Sequence, residues 1–172
     1  MAETMATKEF AWQGREFTFD VAAATEQGLV KKGTFNEPED FRQFVVYCDE
    51  GVRIGGTNTA PTPIGYFLLG AAFCTLTQLT RYGETMKVPI KTATVGVNAR
   101  FRTDGSVLKG TVIGSTVSFT MDIEVESDAP PERVAALVRN AEGGCFVMQA
   151  VKNPTAVETT VRLNGAPLAL AG

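Results

Sequence analysis

Three cysteines, Cys48, Cys74 and Cys145, carry the strongest nucleophiles in this chain, and it has no histidine to activate any other. Without an imidazole the Ser-His-Asp and Cys-His routes are closed, and the commonest zinc ligand is missing. No Cys-x-x-Cys pair suggests a zinc ribbon or a thioredoxin-type dithiol. What is left is buried or reactive thiols, and two thiols within reach of each other allow one redox cycle. A thiolate attacks the O–O bond of a hydroperoxide and becomes a sulfenic acid, and a second thiol within reach condenses with it to a disulfide before over-oxidation. The attacking thiol is helped by a nearby Arg or Lys and by an apolar pocket.

The three settings differ. Cys74 lies within an apolar stretch, with Gly70 one helical turn before it and Gln78 one turn after. Position alone favours a packing role for it, since free cysteine is among the most buried residue types. Cys145 follows Gly143-Gly144, which permits close backbone approach, and precedes Phe146, Val147 and Met148. Position alone divides it evenly between packing and chemistry. Cys48 stands beside Asp49 and Glu50, whose charges would disfavour a thiolate, so it is the least suited nucleophile.

The elements that would place these thiols follow from periodicity. Alternation predicts strands over Thr94–Phe101 and Ser115–Glu126, with Val95, Val97, Ala99 and Phe101 on one face, and Val117, Phe119, Met121, Ile123 and Val125 on another. Phe17, Phe19 and Val21 predict a strand near the start, and Val157, Val161 and Leu163 one near the end. Weaker strands are expected over Phe44–Cys48 and Val107–Ile113. Thr62-Pro63 reads as an N-cap followed by proline in the first turn of a helix reaching about Tyr82-Gly83, with Phe67, Ala71, Cys74 and Gln78 on one side. A second helix follows Ser127-Asp128-Ala129-Pro130-Pro131-Glu132, with Val134, Leu137, Val138 and Ala141 as its stripe, and is interrupted at Gly143-Gly144 before Cys145.

At 172 residues, 44% hydrophobic, 20% charged and a formal charge of −3, the chain reads as one soluble domain over 1–172, its core spanning about residues 10–164. The element order predicts an α+β fold, antiparallel sheets packed around a long apolar helix. That helix is apolar on nearly every side, so a second subunit is expected to cover what one sheet leaves open. The longest basic run, Lys31-Lys32, offers nothing to nucleic acid. The acidic, weakly apolar N-terminus lacks the features of a secretory signal, which predicts a cytoplasmic protein. The apolar run Ile64–Cys74 is about half the roughly 20 residues that span a bilayer, which predicts a core helix and no membrane association.

Four stretches together resemble the OsmC/Ohr family of cysteine-dependent peroxidases. They are Gly56-Thr57-Asn58; Thr62-Pro63-Ile64-Gly65-Tyr66-Phe67 leading into Gly70-Ala71-Ala72-Phe73-Cys74; Ser127 to Glu132; and Asn140-Ala141-Glu142-Gly143-Gly144-Cys145. The resemblance implies an OsmC-like fold and an intertwined homodimer with sites at the subunit interface. It also implies that Cys74 is the peroxidatic thiol and Cys145 the resolving one. Organic hydroperoxides would be the substrates and an external small or lipoyl-type dithiol the reductant, with no metal or flavin.

Two departures bear on activation. The family's catalytic Glu stands ten positions before the first cysteine, where this chain has Ile64, and the proline that usually follows the second cysteine is Phe146. Ile64 can neither hold an Arg nor share a proton with a peroxide. The family's Arg corresponds to Arg53, Arg42 or Arg15, with Arg53 preferred for preceding the Gly-Thr-Asn turn. Two alternatives stay open beside the peroxidase: other thiol chemistry by Cys74 on an apolar substrate, and a non-enzymatic redox-sensing or ligand-binding dimer. The apolar surroundings of Phe67, Leu68, Leu69, Phe73, Phe146 and Met148 would suit a bulky apolar substrate.

Overall fold

The computed structural model describes Gly14 and residues 16–37 and 42–170. The chain forms two compact units, Met1–Pro63 and Ile64–Gly172.

In the first unit, β1 (Val21–Gln27), β2 (Val30–Asn36) and β3 (Gln43–Cys48) form an antiparallel sheet in that order. Gly28 adopts φ +58, the left-handed conformation glycine takes without strain, and so turns β1 into β2. The strand predicted through Phe17 and Phe19 instead starts at Val21, where pairing with Phe35 of β2 begins. The two phenylalanines pair edge to face outside the sheet, with ring centroids 6.5 Å apart.

The loop after β3 closes around Asp49. Its buried carboxylate accepts hydrogen bonds from the Glu50 N–H at 2.8 Å, the Thr57 N–H and hydroxyl at 2.9 and 2.6 Å, and the Thr59 N–H and hydroxyl, both at 3.1 Å. The Thr57 hydroxyl leads the causes that hold this carboxyl well below the usual carboxylate range.

The second unit opens with the 24-residue helix α1 (Pro63–Met86). It runs three residues past the expected end, and Val88 N–H then donates to the Gly83 carbonyl at 2.9 Å. By length and composition alone α1 is apolar enough to cross a membrane, with a mean hydropathy of 1.2 over 18 residues. Next come β4 (Thr92–Asp104) and β5 (Ile113–Glu126), a long antiparallel pair. A register shift at Arg100/Phe101 marks the end of their covered face. Ala93, Val95, Val97, Ala99, Phe119, Met121, Ile123 and Val125 are partly covered, whereas Phe101 and Val117 are exposed.

The strand expected over Val107–Ile113 forms only at its last residue. A short 3-10 turn occupies Val107–Lys109, closed by Gly110 at φ +65, because Ser106 and Thr111 bond each other across the loop instead of pairing in the sheet.

Helix α2 (Pro131–Gly144) keeps both glycines and ends at Cys145, whose ψ of 102 is extended. The short helix α3 (Phe146–Lys152) follows directly. The last strand predicted from Val157 is shorter, β6 (Val161–Leu163), and it pairs with β7 (Ala166–Leu168) through Asn164-Gly165, both at positive φ. An Asn-Gly pair with both residues at positive φ is the turn chemistry of a tight β-hairpin.

Two apolar clusters hold this unit. Leu79, Val88, Leu137 and Ala141 join α1 to α2, flanked by Val95 and Ile123 of the sheet. Ala71, Cys145 and Met148 join α1 to the α2–α3 junction, flanked by Cys74, Val97, Phe119, Met121 and Val147. The fold is α+β with antiparallel sheets, as the sequence predicts.

Candidate active site

Cys74 lies in the middle of α1, and Cys145 is the single extended residue between α2 and α3. A continuous helix would carry Cys145 round with its axis. The break instead fixes it against α1, where its thiol is fully buried and donates to the Ala71 carbonyl, with 3.9 Å between sulfur and oxygen. Gly144 makes that approach possible, since a Cβ there would collide with the Tyr82 hydroxyl and ring. Cys145 thus touches α1 at Ala71, and Gly144 packs against the end of the Tyr82 side chain.

The two thiols meet. The half-buried Cys74 packs against the cluster that holds buried Cys145, and neither cysteine is in a disulfide. Burial is the main cause pushing the Cys74 thiol up from its ordinary value of 9.0, and Cys145 adds to the rise by accepting from the neutral S–H. The Val147 and Phe146 N–H groups, which favour the thiolate, pull in the other direction. The balance leaves Cys74 protonated near neutral pH.

The other predicted residues are placed as follows. Ile64 is half exposed in the first turn of α1 and brings no polar group to that turn. Arg53 is exposed in a 3-10 turn over Val52–Ile54, and Arg42 is exposed just before β3, both within the Met1–Pro63 unit. Arg15 lies outside the described residues. Cys48 ends β3, paired with Lys31 of β2. Among the apolar residues proposed around the thiols, Met148 is buried in the Cys145 cluster, Phe67 stacks edge to face on Phe119 at 6.2 Å, and Phe146 is exposed. Leu69 and Phe73 are exposed too. Among the described residues, no cluster of three or more Cys, Asp or Glu could hold a metal ion.

The family model for OsmC-like protein matches residues 56–160, more than half of the chain, from the Gly-Thr-Asn turn past both cysteines. The chain belongs to the OsmC-like family. Solved structures of similar fold agree with this. An OsmC-like hydroperoxide resistance protein from Jannaschia sp. CCS1 is 20% identical, with a TM-score of 0.58 over 87% of this chain and 95% of its own. An OsmC-like protein from Mycoplasma pneumoniae is 12% identical, with a TM-score of 0.62 over 81% and 91%. An organic hydroperoxide resistance protein from Vibrio cholerae, with captopril bound in one of its active sites, is 20% identical with a TM-score of 0.53 over 91% and 99%. No curated protein matches the chain by sequence. These identities establish the OsmC-like fold, and the chemistry has to be argued from the thiols themselves.

Proposed function

We propose that this OsmC-like chain is a cysteine-based thiol peroxidase that reduces organic hydroperoxides through a Cys74/Cys145 cycle. The observation that carries this reading is the contact between the two thiols across α1 and the α2–α3 junction. The hydroperoxide resistance named for several proteins of similar fold supports it.

Cys74 is the attacking thiol on this reading, because it is the more accessible of the two, and fully buried Cys145 resolves. In the first step the Cys74 sulfur bonds to the terminal peroxide oxygen and the O–O bond breaks. The sulfur is oxidised by two electrons, the peroxide leaves as an alcohol, and the thiol proton goes to the alcohol. Cys145 then attacks the sulfenic acid, forming the S–S bond and releasing water. An external dithiol returns both cysteines to thiols, and the cycle calls on no metal or flavin. The protein works in the cytoplasm as a homodimer, the second copy covering the exposed apolar side of α1.

The test uses purified, reduced protein and cumene hydroperoxide. Near-stoichiometric loss of two thiols and turnover with dithiol are expected, both abolished in Cys74→Ser. No thiol loss at low peroxide excess, or unchanged turnover in Cys74→Ser, would sink the reading.

One observation favours a second reading. The neutral Cys74 thiol and the apolar Ile64 both slow peroxide attack, which suits a redox sensor that forms one disulfide without turnover. Stoichiometric disulfide formation with no consumption of dithiol would select it.

A further inference from the structure

Gln78 is the polar residue that packing alone does not explain. It is 4% exposed, and its Oε1 is buried with no hydrogen-bond partner among the described residues. An unmet buried acceptor costs on the order of 1–3 kcal/mol, so its retention calls for a reason.

Its place in the fold supplies one. Ala71, Cys74, Gln78 and Tyr82 recur at steps of three and four along α1 and share a face. Cys145 meets that face at the Ala71 carbonyl and Gly144 meets the tip of the Tyr82 side chain, and Gln78 stands on the same face one turn beyond Cys74. Helical side chains lean toward the N-terminus, which directs Gln78 back over the Cys74 turn. The orphan acceptor is thus on the Cys74 face of α1, one turn from the thiol. Ile64, half exposed in the first turn of α1, cannot supply an acceptor.

We infer that Gln78 Oε1 is the hydrogen-bond acceptor for the terminal O–H of the hydroperoxide, and afterwards for the Cys74 sulfenic acid. This rests on the peroxidase reading and adds the group that orients the substrate.

The chemistry makes one acceptor serve twice. A sulfur nucleophile attacks the peroxide oxygen that bears hydrogen, with the alkoxy oxygen as leaving group. As the S–O bond forms and the O–O bond breaks, that O–H passes to sulfur intact, and the thiol proton neutralises the departing alkoxide. The same O–H donates to Gln78 before and after transfer. Held in this way, the sulfenic acid presents its sulfur to Cys145, and water leaves when the S–S bond forms.

The test uses the full chain carrying Cys145→Ser, with Gln78 native or changed to Met or Leu. Sulfenic acid on Cys74 is trapped with dimedone after addition of cumene hydroperoxide and located by peptide mass spectrometry. The expected result is sulfenylation slowed about tenfold in both Gln78 variants, the weight of one hydrogen bond. Reaction of Cys74 with methyl methanethiosulfonate, which brings no O–H or N–H, is expected to keep its rate. Melting temperatures are expected to hold or rise, because an unmet polar group has gone. Equal sulfenylation with and without Gln78, or an equal loss of rate toward both reagents, overturns the assignment. Absence of any Cys74 sulfenic acid in the Gln78 protein overturns the peroxidase reading itself, and the assignment with it.

Discussion

Cys74 departs from the usual picture of an activated thiol, because its surroundings favour the protonated form. Burial and the Cys145 thiol outweigh two backbone N–H groups, so the thiolate becomes abundant only above the ordinary thiol range. The rate of Cys74 alkylation by iodoacetamide is therefore expected to keep rising above pH 9, and a plateau near pH 7 would contradict this balance. The stability linkage has a definite sign. A thiol whose folded pKa exceeds its unfolded value holds its full contribution below the unfolded pKa and loses it as pH rises through the folded one. Cys145→Ser is expected to leave the first oxidation possible but to let Cys74 proceed to sulfinic acid, visible by mass spectrometry under peroxide excess. At this scale the pair of cysteines was legible through the resemblance, and the departure at Ile64 was legible as well. The orphan oxygen of Gln78 was not, because it depends on where a segment more than sixty residues away crosses α1.

The helix break at Cys145 is the element that turns two distant thiols into a pair. Gly144 permits it, since any side chain there meets the Tyr82 ring. Gly144→Ala is expected to cost about 1–3 kcal/mol by overpacking and to slow disulfide formation after Cys74 is oxidised. Thermal melting and the rate of disulfide appearance check the two effects separately. In the other unit, the Asp49 loop depends on one carboxylate that receives five hydrogen bonds. Asp49→Asn replaces an acceptor oxygen by a donor that faces N–H groups, and a lowered melting temperature at neutral pH is expected. With the folded pKa depressed, the native contribution is present above the usual carboxylate range and is lost only as pH falls below it. Alternation is informative in some stretches and silent in others. In β4 and β5 one face is covered and the other is wet, so the pattern marks the strands. Val107 to Ile113 has apolar residues only at its two ends, and the Ser106–Thr111 bonds and Gly110 turn it into a loop, local polar competition that leaves no periodic trace. The role of Gly56-Thr57-Asn58 as the wrapping around Asp49 was equally invisible before the fold placed Thr57 on that carboxylate.

At the scale of the whole molecule, α1 is too apolar for the cover it receives. Its inner face meets Leu137, Ala141 and Cys145, while Leu69 is 44% and Phe73 61% exposed. These two residues are four apart and form a stripe on the side away from Ala71 and Gln78, the face that α2 and α3 cover. A run of exposed aromatic and aliphatic groups on a long helix is the kind of face that marks an interaction surface, and the proposed homodimer would set a second, equally apolar helix against it. Sedimentation equilibrium is therefore expected to give twice the 18.4 kDa of one chain at micromolar concentration. Phe73→Glu sets a carboxylate on that exposed face, where a second apolar helix would have to bury it. The variant is expected to sediment as a monomer and to melt at a lower temperature. A wild-type monomer, or a Phe73→Glu dimer as tight as the wild type, would remove the second copy from this face.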